Sequence, residues 1–151
     1  MQAEEAGRRG ADEGGKGKVG MIETDVLLAC MNPEDRHHDE AVKFIEAFPG
    51  TLTLSPFSLI EIDMLIRSGK LRVVDYHEFI SALSDMLSLY GISIFPDEAG
   101  IHGLAQRLRD EHGLTFFDSL HASAAMRKNA TLYSYDRIYQ RVRGLKWRRP
   151  T

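Results

Sequence analysis

Residues Met21-Ile22-Glu23-Thr24-Asp25-Val26-Leu27-Leu28-Ala29 constrain the fold of this chain more than any other stretch. A short apolar run ends in two acids and then resumes as the opening of an apolar helix. Strand, acidic turn and helix in that order put carboxylates at the carboxyl end of a buried parallel strand, the edge where open α/β folds place their ligands. Burying Glu23 and Asp25 beside apolar neighbours is costly without a compensating cation, and a bound metal ion is the usual one. These residues alone leave a plainer alternative open, in which Asp25 caps the helix and Glu23 ends the strand in water.

The same grammar recurs along the chain. Strands are expected at 19–23, 51–54, 92–95 and 130–134, with 145–147 as a fifth strand at the edge. Asn32-Pro33 reads as a cap and first turn of a helix that is apolar at Ala41, Phe44, Ile45 and Phe48 and stops at Pro49-Gly50. Ser55-Pro56 reads as the opening of a second helix, ended by Gly69. Asp75 with Glu78 resembles a capping box ahead of the stripe Tyr76, Phe79, Ile80, Leu83, Met86, Leu87 and Tyr90, closed by Gly91. Pro96-Asp97 opens a further helix that runs to His112-Gly113, with Asp97 as a cap. An Ala/Ser-rich helix follows with Asp118 in its first turn, and 137–142 holds one or two helical turns. Strands alternating with helices imply an α/β fold, a parallel sheet covered on both faces.

At 151 residues the chain suits one domain with a real core. Residues 1–18 hold five glycines, four acids and four bases with almost nothing large and apolar, so they are expected to be a disordered extension and 19–149 the folded domain. No apolar run approaches the roughly 18 residues of a membrane span, and no signal-peptide core is seen near the start. The single cysteine, Cys30, lies in an apolar-periodic stretch and is expected to be a buried, inert thiol. These features fit a cytoplasmic protein with no membrane association. The net charge of −3 hides an asymmetry. Residues 127–151 carry eight Lys/Arg and one acid, +7, leaving eleven against twenty-one, −10, in the rest. A basic end interleaved with Tyr133, Tyr135, Tyr139 and Trp147 suits a nucleic-acid backbone and stacked bases, against the plain reading of solvated surface charge.

Glu23, Asp25 and Asp136 would then end strands, while Glu61 and Asp118 project from helices beside them. Glu61 and Asp63 share the middle of an otherwise apolar helix, so one is expected to face solvent and the other a polar cleft. Carboxylates converging with no Lys or Arg close in sequence repel one another, and oxygen-rich anionic clusters of that kind bind Mg²⁺ or Mn²⁺. His37 and His38 point about 100° apart on a helix and are read as surface residues near the cleft.

The series Glu-Thr-Asp-Val-Leu-Leu-Ala, Ser-Pro-x-Ser-Leu-Ile-Glu, Phe-Asp-Ser-Leu-His-Ala and Tyr-Ser-Tyr-Asp resembles the PIN-domain family, most of all the small prokaryotic toxins of VapBC-type toxin–antitoxin pairs. The resemblance implies a Rossmann-like three-layer fold with a central parallel sheet of about four to five strands. It implies an Mg²⁺- or Mn²⁺-dependent endoribonuclease, a small antitoxin partner and a homodimer. Glu61, Asp118 and Asp136 stand at the family's acidic positions. The first position departs from the pattern, because Glu23 stands where an aspartate is usual and Asp25 where a polar helper is usual. An RNA-processing nuclease without antitoxin, and an inactive module that binds RNA or protein, are the alternatives.

Overall fold

The computed structural model describes residues 20–151. The expected disorder of 1–18 lies outside the described residues, as does Val19. In chain order the elements are β1 (Gly20–Ile22), α1 (Thr24–Met31), α2 (His38–Ala47), β2 (Leu52–Leu54), α3 (Ser58–Arg67), α4 (Tyr76–Leu89), β3 (Ser93–Ile94), α5 (Ala99–His112), α6 (Phe116–Arg127), β4 (Thr131–Tyr133), a 3₁₀ helix (Arg137–Arg141) and β5 (Trp147–Arg148). All strand pairs are parallel, in the order β3-β2-β1-β4-β5. The expected α/β architecture is therefore present, with helices on both faces of a five-stranded sheet.

Alternation along β1 divides the core. Met21 faces α5, α6 and the 3₁₀ helix, packing with Ile101, Leu108, Leu120, Leu132 and Tyr139. Ile22 faces the other way, into a cluster with Val26, Leu27, Phe44, Leu54, Ile62 and Leu83. Gly20 is dictated by its neighbours, since a Cβ there would lie 2.6 Å from Leu52 Cδ2 and 3.1 Å from Tyr133 Cε2. On α6 the small residues Ser119, Ala122, Ser123, Ala124 and Ala125 are all buried. Their size lets α5 come close enough for Ser123 Oγ to donate to the Ile101 carbonyl at 2.6 Å. Gly113 ends α5 with φ +65° and donates to the Arg109 carbonyl, a left-handed cap that glycine adopts without strain.

Three helix starts differ from the sequence reading, each because a side chain is used otherwise. Asn32 ends α1 and accepts the Glu34 N–H on its side-chain oxygen at 3.0 Å, which makes a turn of the Pro33 region and delays α2 to His38. Ser55 turns its hydroxyl to His121 Nδ1 at 2.6 Å, so α3 begins only at Ser58. Asp97 binds His102 at 2.9 Å instead of capping, and α5 begins at Ala99. The Asp75 cap is as expected, accepting the Glu78 N–H at 3.0 Å. The stripe that follows splits. Leu83 is buried and Tyr76 stays 42% exposed, while Leu89, outside the stripe, is 76% exposed. Among the described residues no helix is long and apolar enough to cross a membrane.

Candidate active site

The strand order changes direction at β1, which lies between β2 and β4. Ligand crevices of open α/β sheets form beyond the strand ends at such a point. Here Glu23 follows β1, Ser55 follows β2 and Ser134 follows β4, so three strands deliver polar side chains to one edge. Glu23 N–H extends the β1–β4 pairing by donating to the Tyr133 carbonyl at 3.0 Å, which pins the turn.

Glu23 sits at the N-cap of α1 in extended conformation, and Asp25 lies in the first helical turn. They converge because the chain turns from strand to helix between them, not because an extended strand puts alternate residues on one face. Ser134 Oγ joins them, lying 3.1 Å from Glu23 Oε2 and 2.8 Å from Asp25 Oδ2. Asp25 Oδ2 also accepts the Tyr135 N–H at 2.8 Å, whereas its Oδ1 is buried with no hydrogen-bond partner.

Glu61 enters from the first turns of α3. Its partner in the sequence reading, Asp63, faces solvent and pairs with Arg67 at 3.0 Å, as one of the two had to. Glu61 Oε1 lies 3.0 Å from His121 Nε2, and Glu23 Oε1 lies 3.4 Å from the same nitrogen. Carboxylates only accept, so Nε2 carries a proton, while Ser55 Oγ engages Nδ1. Thr24 ties the turn to the start of α3, donating to Ser58 Oγ at 2.9 Å. Asp118, in the first turn of α6, accepts from the Tyr139 hydroxyl at 3.1 Å. Asp136 stands at the rim, exposed, and caps the 3₁₀ helix by accepting the Ile138 N–H at 2.9 Å. Its own N–H donates to Ser134 Oγ at 3.0 Å, one hydrogen bond removed from Glu23 and Asp25.

The electrostatics follow from this crowding. Burial pushes the Glu23 carboxyl well above the usual range, and the negative charges of Asp25, Glu61 and Asp118 push it further in the same direction. Asp25 is raised by burial too, against the opposing hydrogen bonds from Ser134 and the Tyr135 N–H. For Glu61 burial acts upward, but the His121 ring outweighs it and leaves the carboxyl below its ordinary value. Burial raises the Tyr139 hydroxyl well above the ordinary phenol range, with Glu23, Asp118 and Asp25 adding to the shift.

Glu23, Glu61 and His121 bring one ligand atom each within 4.8 Å of one another. With Nε2 protonated and Nδ1 engaged by Ser55, His121 orients the two carboxylates, and the donors left to a cation are the oxygens of Glu23 and Glu61, with a buried oxygen of Asp25 beside them. That set fits a divalent cation such as Mg²⁺ or Mn²⁺. His121 was not singled out from the sequence. A lone histidine in a helix of small residues carries little signal, and only the fold places it between two acids 60 and 98 residues away. The aromatic residues of the basic end are used by the fold: Tyr139 is 0% exposed, Tyr133 stacks at a tilt on Phe44, and Trp147 donates to the Ser134 carbonyl.

Several solved structures share this arrangement of strands and helices. The VapBC2 complex of Rickettsia felis, bound to a DNA fragment from its promoter, matches with 21% identity over 87% of this chain and 98% of the other, at a TM-score of 0.71. The DNA-bound VapBC of Salmonella typhimurium matches with 13% identity over 89% and 99%, at 0.65. Mycobacterium tuberculosis VapC20, a toxin that cleaves the sarcin–ricin loop, matches with 17% identity over 80% and 92%, at 0.64. At these identities the likeness is one of fold. No curated protein matches the sequence. The family profile described as PIN domain matches residues 21–145, from within β1 to just short of β5. On that extent the chain belongs to the PIN-domain family.

Proposed function

We propose that the chain is an Mg²⁺- or Mn²⁺-dependent endoribonuclease, the toxin of a toxin–antitoxin pair. The observation that carries this reading is the unpartnered, buried Asp25 Oδ1 beside a Glu23 carboxyl that burial and three acids push upward. A divalent cation relieves both. Glu23, Asp25, Glu61 and Asp118 would hold it, with Asp136 completing the set at the rim.

When bound, such an ion would supply Lewis acidity for phosphodiester hydrolysis. The chain's own groups fix the geometry. Ser134 ties Glu23 to Asp25, the Tyr139 hydroxyl holds one Asp118 oxygen, and His121 holds Glu61. Tyr139 is 0% exposed, so its hydroxyl meets Asp118 from the core side. The proteins similar in fold include VapBC complexes and a toxin that cleaves the sarcin–ricin loop, which supports the nuclease and antitoxin assignments. Exposed apolar residues on α3 and α4 (Ile60 59%, Met64 52%, Leu89 76%) suit an antitoxin or a second copy in a homodimer. Light scattering at tens of micromolar reads the latter, and a monomer mass counts against it.

The test is cleavage of a mixed RNA substrate with Mn²⁺ or Mg²⁺. Activity should vanish on chelation and return with the ion. Cleavage that survives chelator would remove the metal mechanism. One observation favours a second reading, an inactive PIN module that binds RNA or protein. His121 Nε2 already satisfies Glu61 and Glu23 without a metal. Absence of any divalent-ion-dependent cleavage, together with an unchanged melt on adding Mn²⁺, would select that module.

A further inference from the structure

Beside the acid cluster lies a cavity of about 620 Å³ lined by Arg36, His37, Glu40, Tyr135, Arg137 and Arg149. Its walls come from three separate parts of the chain: the turn before α2 with the first turn of α2, the segment after β4 and the residue after β5. The two sites share a wall, because the Tyr135 N–H that borders the cavity donates to Asp25 Oδ2 at 2.8 Å.

The wall is built rather than loose. The His37 and Tyr135 rings stack with centroids 4.0 Å apart and 5° between planes. Arg36 Nε donates to His37 Nε2 at 3.1 Å, and the Arg149 guanidinium lies 5.3 Å from the Tyr135 ring centre. The Tyr135 hydroxyl is buried, so this ring is a partition and not a platform for a base. Three guanidiniums face one carboxylate. Glu40 lies 3.6 Å from Arg149, and among the described residues Arg36 and Arg137 pair with no carboxylate.

A polyanion approaching a cluster of carboxylates is repelled unless cations lie along its path. Guanidiniums bind phosphate oxygens in a fork geometry and are the usual compensators. Resting on the ribonuclease reading above, we propose that this cavity holds a backbone phosphate of single-stranded RNA next to the scissile one, with Arg36 and Arg137 as its principal donors. The subsite sets the register of the strand over Glu23 and Asp25. It reads no base, so it adds affinity without sequence preference.

The experiment uses the full chain and a fluorescein-labelled single-stranded RNA of mixed sequence, followed by anisotropy in EDTA over a range of NaCl. The double variant Arg36→Gln/Arg137→Gln alters two exposed side chains and should fold as the parent does, with Lys70→Gln/Arg107→Gln as a control of equal charge change. The first pair should weaken binding about tenfold and flatten the salt dependence by about 0.7 for the lost phosphate contact. The control pair should do markedly less. In Mn²⁺ the same variant should raise KM with kcat nearly unchanged. Equal affinity and slope in variant and parent, or no measurable RNA binding by the parent at low salt, would overturn the subsite. So would a variant that loses affinity for an acidic peptide and none for RNA, which would assign the cavity to a protein partner. If the parent cleaves nothing in any divalent ion yet the variant still loses RNA affinity, the subsite stands and the nuclease assignment falls.

Discussion

His121 Nε2 lies 3.0 Å from Glu61 Oε1, with the imidazole 0% exposed and Ser55 closing its other nitrogen. One buried ring thus joins α6 to α3 and to the end of β2. Replacing His121 with Phe keeps a planar ring but leaves Glu61 and Ser55 without their partner, at a cost of about 1–3 kcal/mol for the lost hydrogen bonds, with the larger ring adding to it. The Mn²⁺ concentration needed to raise the melting temperature should increase about 10- to 100-fold, the usual effect of losing a group that orients a metal-binding carboxylate. His121→Gln should recover part of that loss. An unchanged Mn²⁺ response in the Phe variant would make the ring a packing residue only.

Glu23 gives the metal-free protein a defined pH dependence. Its carboxyl is raised in the folded state, chiefly by burial and then by Asp25, Glu61 and Asp118. The folded protein therefore holds this proton more tightly than the unfolded chain does. The stability that results is fully present below the ordinary glutamate range and is lost as pH rises through the higher folded value. Melts in EDTA should show Glu23→Gln gaining on wild type with rising pH. A constant difference between the two would contradict a raised Glu23.

Much of this was legible beforehand. The strand–acid–helix signal at Met21–Ala29 located β1 and both its acids, because a strand boundary beside a carboxylate is a local pattern. Asp118 was read correctly into the first turn of α6 for the same reason. The errors fall where a side chain serves a distant partner. Ser55 reads as a helix opening and does accept the Phe57 N–H at 3.4 Å, but its shorter contact is with His121, 66 residues away. Asp97 looked like a cap and binds His102 one turn into α5. The aromatic residues near the basic end looked like stacking groups, yet Tyr139 is wholly buried under Asp118. Spacing along the chain carries no record of such pairings.

Cys30 offers an independent check on the packing of α1. Burial, with Glu46 nearby, pushes its thiol up to about 12. At pH 8 its thiolate fraction, and hence its alkylation by iodoacetamide, should be on the order of a thousandfold below that of an ordinary cysteine. Labelling at the rate of a free thiol in the native state would mean that α1 opens there.

The central claim is that carboxylates at the sheet edge hold a divalent cation for RNA cleavage, and Asp118→Asn tests it most directly. The Asn side chain keeps the size of the Asp and can still accept from the Tyr139 hydroxyl, so the fold should hold. Apo stability should stay level or rise, since a negative charge leaves the neighbourhood of Glu23. Cleavage in Mn²⁺ should fall on the order of 100-fold or more, and the ion should lose most of its effect on the melt. Asp63→Asn and Asp97→Asn, whose carboxylates pair with Arg67 and His102 at the surface, should cleave as wild type does. Wild-type cleavage and wild-type Mn²⁺ stabilisation in Asp118→Asn would contradict the assignment.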